Sequence, residues 1–201
     1  DTVQTMGHFV HDTQSLPVHF MVGAGHKFHG PKGIGFLYAK SGAAFSPLMH
    51  GGAQERNQRG GTENVYGMVG IAKALSLAYL DMAAHEVHVK GIKAYFIDQL
   101  KSCFPGIEFN GRSGEVENSL YTVLNVRFPS IADGDMLLFK LDIEKISASG
   151  GSACSSGTSV GSHVLTALNP QAQGAAVRFS FSKNNTRAEI DRVVDVLKTI
   201  I

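Results

Sequence analysis

Apolar positions in the first third of the chain come in short clusters. Residues 18–23, VHFMVG, form a mostly apolar run of strand length, and residues 33–39, GIGFLYA, form a second. Between them lies a compact polar loop, AGHKFHGPKG. From Thr62 the spacing turns helical. Val65, Met68, Val69, Ala72, Leu75 and Leu80 recur at threes and fours behind a threonine able to cap the helix. A further helical run, continuous with the first or close behind it, passes through Ile92, Phe96 and Leu100 and stops at Pro105-Gly106.

Beyond residue 106 the period changes. Residues 107–110 and 120–128 alternate as strands do, Asp133 is placed to cap a short helix through Leu141, and residues 143–148 read as another strand. Residues 176–181, AVRFSF, are one more strand candidate. The last helix has the clearest start signal: Thr186 and Glu189 form a capping box ahead of an Ile190, Val193, Val194, Leu197, Ile201 stripe. The pattern predicts two α/β units, residues 1–80 and 81–201, divided within a long helical stretch.

Composition narrows the function classes. With 43% hydrophobic and 17% charged residues the chain is ordinary for a globular protein, and 18 Lys and Arg against 17 Asp and Glu leave no field that favours nucleic acid or an anionic membrane. No apolar run approaches the ~20 residues that a membrane span needs, and residue 1 opens neither a signal peptide nor an initiator methionine, so the expectation is a soluble, cytoplasmic protein. Two cysteines, Cys103 and Cys154, make no disulfide framework and are read as free thiols. Twenty-three glycines cluster at 23–35, 51–70, 106–114 and 150–161, where turns or close backbone approach are expected.

Those clusters hold the candidate chemistry. Lys27 follows a strand end, the place where α/β folds put ligands, and a lysine there is able to form a Schiff base with an aldehyde cofactor. The plainer alternative is a solvated surface lysine. Asp1 and Gln4 supply a carboxylate and an amide upstream, a pyridoxal phosphate site needs an acid to hold its ring nitrogen protonated, and His26 can donate to a phosphate. Gly60-Gly61-Thr62 is set to open a helix, a further anion site, and Arg178 is a fork suited to a carboxylate. Each has a bland counterpart: a solvated terminus for Asp1 and Gln4, an ordinary cap for Thr62, an edge-strand charge for Arg178. Cys154 lies in SGGSACSSG, where its small polar neighbours argue against a packed thiol, whereas Cys103 ends an amphipathic helix beside Phe104 and reads as packing. His8 with His11, and His26 with His29, have ligand-like spacing, but no pattern completes a metal set.

Taken in order, DTVQTMGH, GAGHKFHGPKGIGFLY, HGGAQERNQRGGTENV, SGGSACSSG, SHVLTAL and AVRFSFSKNNTRAEID resemble the NifS-like cysteine desulfurases of the class-V aminotransferase superfamily, over essentially the whole chain. SACSSG is similar to group I of that family. The resemblance implies an α/β, fold-type I pyridoxal 5′-phosphate enzyme that converts L-cysteine to L-alanine. Residues 1–80 would then be part of the cofactor-binding large domain and 81–201 the small C-terminal α/β domain. By the same resemblance Lys27 matches the Schiff-base lysine, Asp1 the acid on the pyridine nitrogen, Gln4 the amide near the phenolic oxygen and His26 a phosphate ligand. Thr62 matches a phosphate contact from the other subunit, which implies a homodimer. Arg178 matches the clamp on the substrate carboxylate, and Cys154 the cysteine that becomes a persulfide and passes sulfur to an iron–sulfur scaffold or another acceptor. Two departures stand out. Ala24 replaces a serine found in many relatives, and full-length relatives carry roughly another half before the DTVQ aspartate, so the chain reads as the C-terminal half. The rival expectations are a selenocysteine lyase or aminotransferase, and a non-catalytic half that serves as a dimerisation or scaffold-binding module.

Overall fold

The computed structural model describes residues 1–150 and 162–201. These form two compact units, Asp1–Ala83 and Ala84–Ile201.

In the first unit, β1 (Phe20–Ala24) and β2 (Gly35–Ala39) pair antiparallel with Phe20 opposite Ala39 and Ala24 opposite Gly35. Side chains alternate across a strand. Met21 therefore faces inward with Met6, Phe28 and Ile71, while Phe20 and Val22 stay exposed on the other face. Helix α1 (Val65–Cys103) is a single 39-residue element, so the two helical runs of the sequence are one. Its cap is Asn64, whose Oδ1 accepts the Gly67 N–H at 3.0 Å. Thr62 lies two residues ahead of that cap and is exposed, which corrects the expectation that it opens the helix. An asparagine side chain reaches the free amides of the first turn as well as a threonine does, and the chain used the one adjacent to the turn.

The first part of α1 corrects the premise that no apolar stretch approaches the length of a membrane span. Between Val65 and Ala84 only Lys73 and Asp81 are charged, and by length and composition this helix qualifies as a membrane span. Gly, Ala and Ser dilute the apolar residues, so no unbroken run catches the eye. One face of the helix places Ile71, Ala74, Leu75 and Ala78 against the core of the first unit, while Tyr66, Val69 and Leu80 on α1 are exposed.

The second unit is a three-stranded antiparallel sheet in the order β3 (Glu108–Phe109), β4 (Val123–Phe128), β5 (Ala175–Ser180), with helices α2 (Gly134–Ile143), α3 (His163–Leu168) and α4 (Arg187–Ile200). Phe96, from the second part of α1, meets Phe179 edge-on at a 5.0 Å centroid separation, and Val126, Val177, Leu141 and Leu197 are fully buried. Asp133 caps α2 and the Thr186–Glu189 capping box starts α4, both as the sequence predicts. The strand expected at 143–148 does not form. Helix α2 runs to Ile143, Lys145 turns left-handed at φ 60, and only Ser149 pairs with β5, as an isolated bridge to Arg178. A short apolar run after a helix satisfies both periods, and here the helix took its first residue.

Lys93 is the conspicuous exception to an apolar interior. It is 0% exposed, and its ammonium donates to Ser119 Oγ at 2.7 Å and to the Leu120 carbonyl at 3.1 Å, with no carboxylate partner among the described residues. Burial pulls its pKa down from 10.5 to about 8. A folded pKa below the unfolded one means that the unfolded chain binds the extra proton between those values, so stability rises with pH from about 8 to 10.5, by about 3 kcal/mol for a shift of this size. Ser119 Oγ also donates to the Glu115 carbonyl and the Leu120 carbonyl also accepts from Val123 N–H, so losing the amine orphans neither. Lys93→Met is therefore expected to stabilise the chain at pH 7 by about 1–2 kcal/mol and to abolish the alkaline rise. Urea unfolding at a series of pH values checks both, and a Lys93→Met chain less stable at pH 7 would contradict the account.

Candidate functional site

The chain start is fastened to β1. Thr2 donates twice to the Val22 carbonyl, from its N–H at 3.1 Å and from Oγ1 at 2.6 Å, and the Thr2 carbonyl accepts from the Thr5 and Met6 amides. Asp1 Oδ1 accepts the Val3 N–H at 2.8 Å, which holds the carboxylate in a local turn. Asp1 and Gln4 are both exposed, available to a ligand at this edge.

Two residues past Val22, β1 gives way to a 3-10 turn, Gly25–Phe28, that carries His26 and Lys27. Its geometry converges on Gly25. The Gly25 N–H donates to the Ile34 carbonyl at 3.0 Å, and the Gly25 carbonyl accepts from Gly30 N–H at 2.8 Å and from the amide of His29, which caps the turn at φ 64. A Cβ at Gly30 would stand 2.9 Å from that carbonyl, so only glycine lets the return strand pass. Phe28 is buried in the core, His26 is exposed and Lys27 is half-buried. The turn is thus anchored by its phenyl ring and presents its two basic residues outward.

From beneath, the segment Met6-Gly7-His8 packs against the turn. Gly7 adopts φ 80, and a Cβ there would lie 2.7 Å from Phe28 Cβ. His8 is 8% exposed and its ring is hydrogen-bonded to the Lys27 main-chain carbonyl. Burial lowers its pKa below the usual histidine value, the bond to Lys27 opposes that shift, and the nearby His29 adds to it. Sequence reasoning missed this contact. It saw His8 only as one half of an i, i+3 histidine pair, and no local signal ties residue 8 to residue 27.

The glycine-rich stretch before α1 is held by side-chain and backbone bonds of its own. Glu55, Arg56 and Asn57 form a left-handed turn with φ of 48, 55 and 65, a conformation that costs non-glycine residues roughly 1–2 kcal/mol each. Gln54 Oε1 accepts the Gly61 N–H at 3.1 Å, Gly60 N–H donates to the Met49 carbonyl at 3.0 Å, and Thr62 follows, exposed. Strained residues of this kind persist only where their surroundings over-determine them.

In the second unit, Arg178 sits on β5 opposite Asn125, its backbone paired with Ser149 at 2.6 and 3.1 Å. Its Nε is buried and has no hydrogen-bond partner among the described residues. A buried guanidinium nitrogen without an acceptor suits a carboxylate ligand. Cys154 lies outside the described residues. Cys103, half-buried at the end of α1 and in hydrogen-bond reach of Lys198, has the packed setting expected of it. In the first unit His26 and Lys27 stand on the turn that follows β1, Asp1 and Gln4 lie in the chain start that Thr2 fastens to Val22, and Thr62 is exposed in its own loop.

The sequence profile of the family described as aminotransferase class-V matches residues 1–193. A cysteine desulfurase IscS of Dictyoglomus turgidum is 38% identical over 204 residues, taking in 100% of this chain and 50% of the relative. The cysteine desulfurase of Gluconacetobacter diazotrophicus is 39% identical over 206 residues, with 100% and 50% covered. Among solved structures, a NifS-like protein superposes with a TM-score of 0.85 at 34% identity over 100% of this chain and 51% of its own. A NifS-like protein from Rickettsia africae gives 0.84 at 25% identity, over 99% and 52%. The chain spans about half the length of the curated relatives it matches.

The close approach at Gly7 is directly testable. Gly7→Ala adds a Cβ to a left-handed residue against Phe28, and it is expected to lower unfolding stability by about 2 kcal/mol. An unchanged urea midpoint would mean that the segment is free to move away from the turn.

Proposed function

The chain belongs to the class-V aminotransferase family, and on that premise we propose that it is the part of a pyridoxal-phosphate-dependent cysteine desulfurase that carries the cofactor lysine, Lys27, and the sulfur-accepting thiol, Cys154. The observation that carries this reading is the first-unit edge, where an amine on a rigid strand-end turn and a turn-held carboxylate are fastened to the same strand. The names of the relatives support it, being cysteine desulfurases at 36–39% identity.

The donor set fits the cofactor. Lys27 offers an amine to the aldehyde, Asp1 a carboxylate to the pyridine nitrogen, Gln4 an amide to the phenolic oxygen and His26 an exposed imidazole to the phosphate. Ala24 contributes no hydroxyl. Thr62, exposed in its loop, is proposed to reach the phosphate of a second copy in a homodimer. The exposed Tyr66, Val69 and Leu80 of α1 support such pairing, since an apolar row of this kind is costly to leave in water. In this arrangement residues 1–80 are part of a large cofactor domain and 81–201 the small domain.

When bound, the cofactor supplies an electron sink for the substrate α-carbon. The chain does the rest. The Arg178 guanidinium binds the carboxylate of L-cysteine with the nitrogen that lacks an acceptor. Lys27 Nζ accepts the α-proton and later returns a proton to carbon. The Cys154 thiolate attacks the substrate sulfur: the S–S bond forms, the C–S bond breaks, and the carbon side keeps the electron pair and takes a proton. The products are L-alanine and a Cys154 persulfide, whose outer sulfur passes to an iron–sulfur scaffold or another acceptor. A cytoplasmic setting, where thiols stay reduced, suits this chemistry.

Cys154→Ala is expected to retain pyridoxal phosphate and to lose at least about a hundredfold in alanine formation from L-cysteine. Arg178→Lys should raise KM for L-cysteine by about tenfold, because lysine replaces a planar fork with a point charge. Alanine assays on the purified chain check both. Unchanged turnover in Cys154→Ala removes the thiol from the reaction. Turnover that appears only with selenocysteine or only with an added keto acid assigns the chain to a selenocysteine lyase or an aminotransferase, and cofactor binding without any turnover assigns it to a non-catalytic module.

A further inference from the structure

His8 is a buried titratable group that the reaction does not use. It lies 19 residues before Lys27 in sequence, yet its ring ends on the Lys27 main-chain carbonyl. The approach is enforced from several sides. Gly7 takes a left-handed φ that brings its backbone against Phe28 Cβ, Met6 and Phe28 share one buried cluster with Met21 and Ile71, and Tyr79 Oη on α1 donates to Met6 Sδ at 3.9 Å. The His8 N–H itself donates to the Thr5 carbonyl at 3.0 Å, which fixes the residue in the fastened chain start.

We propose that His8 is a positioning residue for Lys27: a neutral imidazole, buried under the 3-10 turn, donates to the Lys27 carbonyl and so sets the direction in which the lysine amine leaves the turn. The role as it bears on catalysis rests on the reading of Lys27 as the cofactor lysine. A side chain is aimed by its own backbone, and in a turn of four residues no backbone amide among the described residues restrains this carbonyl as the ladder of a longer helix would. The ring is the restraint. The same bond links the chain start, which holds Asp1 and Gln4, to the turn, which holds His26 and Lys27. One histidine thereby couples two halves of the donor set.

The device has a pH signature. Burial first, and then the neighbouring His29 at the cap of the turn, hold the His8 pKa below the usual value against the bond to Lys27. A depressed histidine pKa means that the unfolded chain binds the proton first. The stabilisation is therefore complete above the unfolded value of about 6.5 and is lost as pH falls from there toward the lower folded value. His29 is a titratable side chain whose charge acts on the ring.

Two readouts test the proposal. In the first, the Lys27 carbonyl carbon and the His8 ring nitrogens of the unsubstituted chain are followed by NMR over roughly pH 5 to 8. The expected result is that the Lys27 carbonyl signal titrates with the His8 ring, with a midpoint below the usual histidine value of about 6.5. A carbonyl that stays still while His8 titrates overturns the positioning role. In the second, the chain is incubated with pyridoxal phosphate, reduced with borohydride and mapped by mass spectrometry. His8→Ala should slow labelling at Lys27 about fivefold, the size of one hydrogen bond. Either His8→Asn or His8→Gln, whose amides mimic the two ring nitrogens, should restore it and remove its dependence on pH below 7. Equal labelling of Lys27 in all four chains overturns the inference and leaves the cofactor reading intact. Absence of label at Lys27 in the unsubstituted chain overturns the cofactor reading, while the NMR result still decides the contact.

Discussion

The candidate site depends on the anchoring of one four-residue turn. Gly25 gathers three backbone hydrogen bonds, from and to Ile34, His29 and Gly30, and Phe28 drives its ring into the core beside Met6, Met21 and Ile71. Neither restraint would suffice alone. A 3-10 turn is too short to hold itself, and a lone buried phenyl ring leaves the backbone free to swivel about it. Together they hold the strand end that carries Lys27. The glycines are a condition of that packing, because a Cβ at residue 7 or 30 would collide with the turn itself.

The rest of the first unit extends this clamp. The start of the chain, with the exposed Asp1 and Gln4, is fastened through Thr2 to Val22 of β1, the strand that feeds the lysine turn. The second unit is built on a different principle. Its antiparallel sheet and helices close an apolar core around Phe96, and it presents one polar anomaly on β5, the unpartnered Nε of Arg178.

What was legible in the sequence were features whose signal is local. The capping box at Thr186, the Asp133 cap, the glycines flanking Lys27 and the alternation in residues 176–181 each declare themselves within a few residues, and each is found where expected. The functional reading was legible because six motifs occur in order, and a match over residues 1–193 agrees with it. The failures are cases of competition or distance. Thr62 and Asn64 are both good caps, and propensity does not choose between them. Residues 143–148 fit a strand, but α2 extends to Ile143 and the left-handed Lys145 ends the segment. The apolar first part of α1 was hidden by its small residues. His8 was invisible as a support for Lys27, since a contact across 19 residues depends on tertiary packing.

The central claim is that the Lys27 turn is a pyridoxal phosphate site. Its most direct test is the visible absorption spectrum of the purified 201-residue chain with added pyridoxal phosphate, before and after L-cysteine, with Lys27→Ala as control. The account predicts a bound-cofactor band that disappears in Lys27→Ala and changes when L-cysteine is added. A spectrum identical to that of the control, before and after L-cysteine, would contradict it.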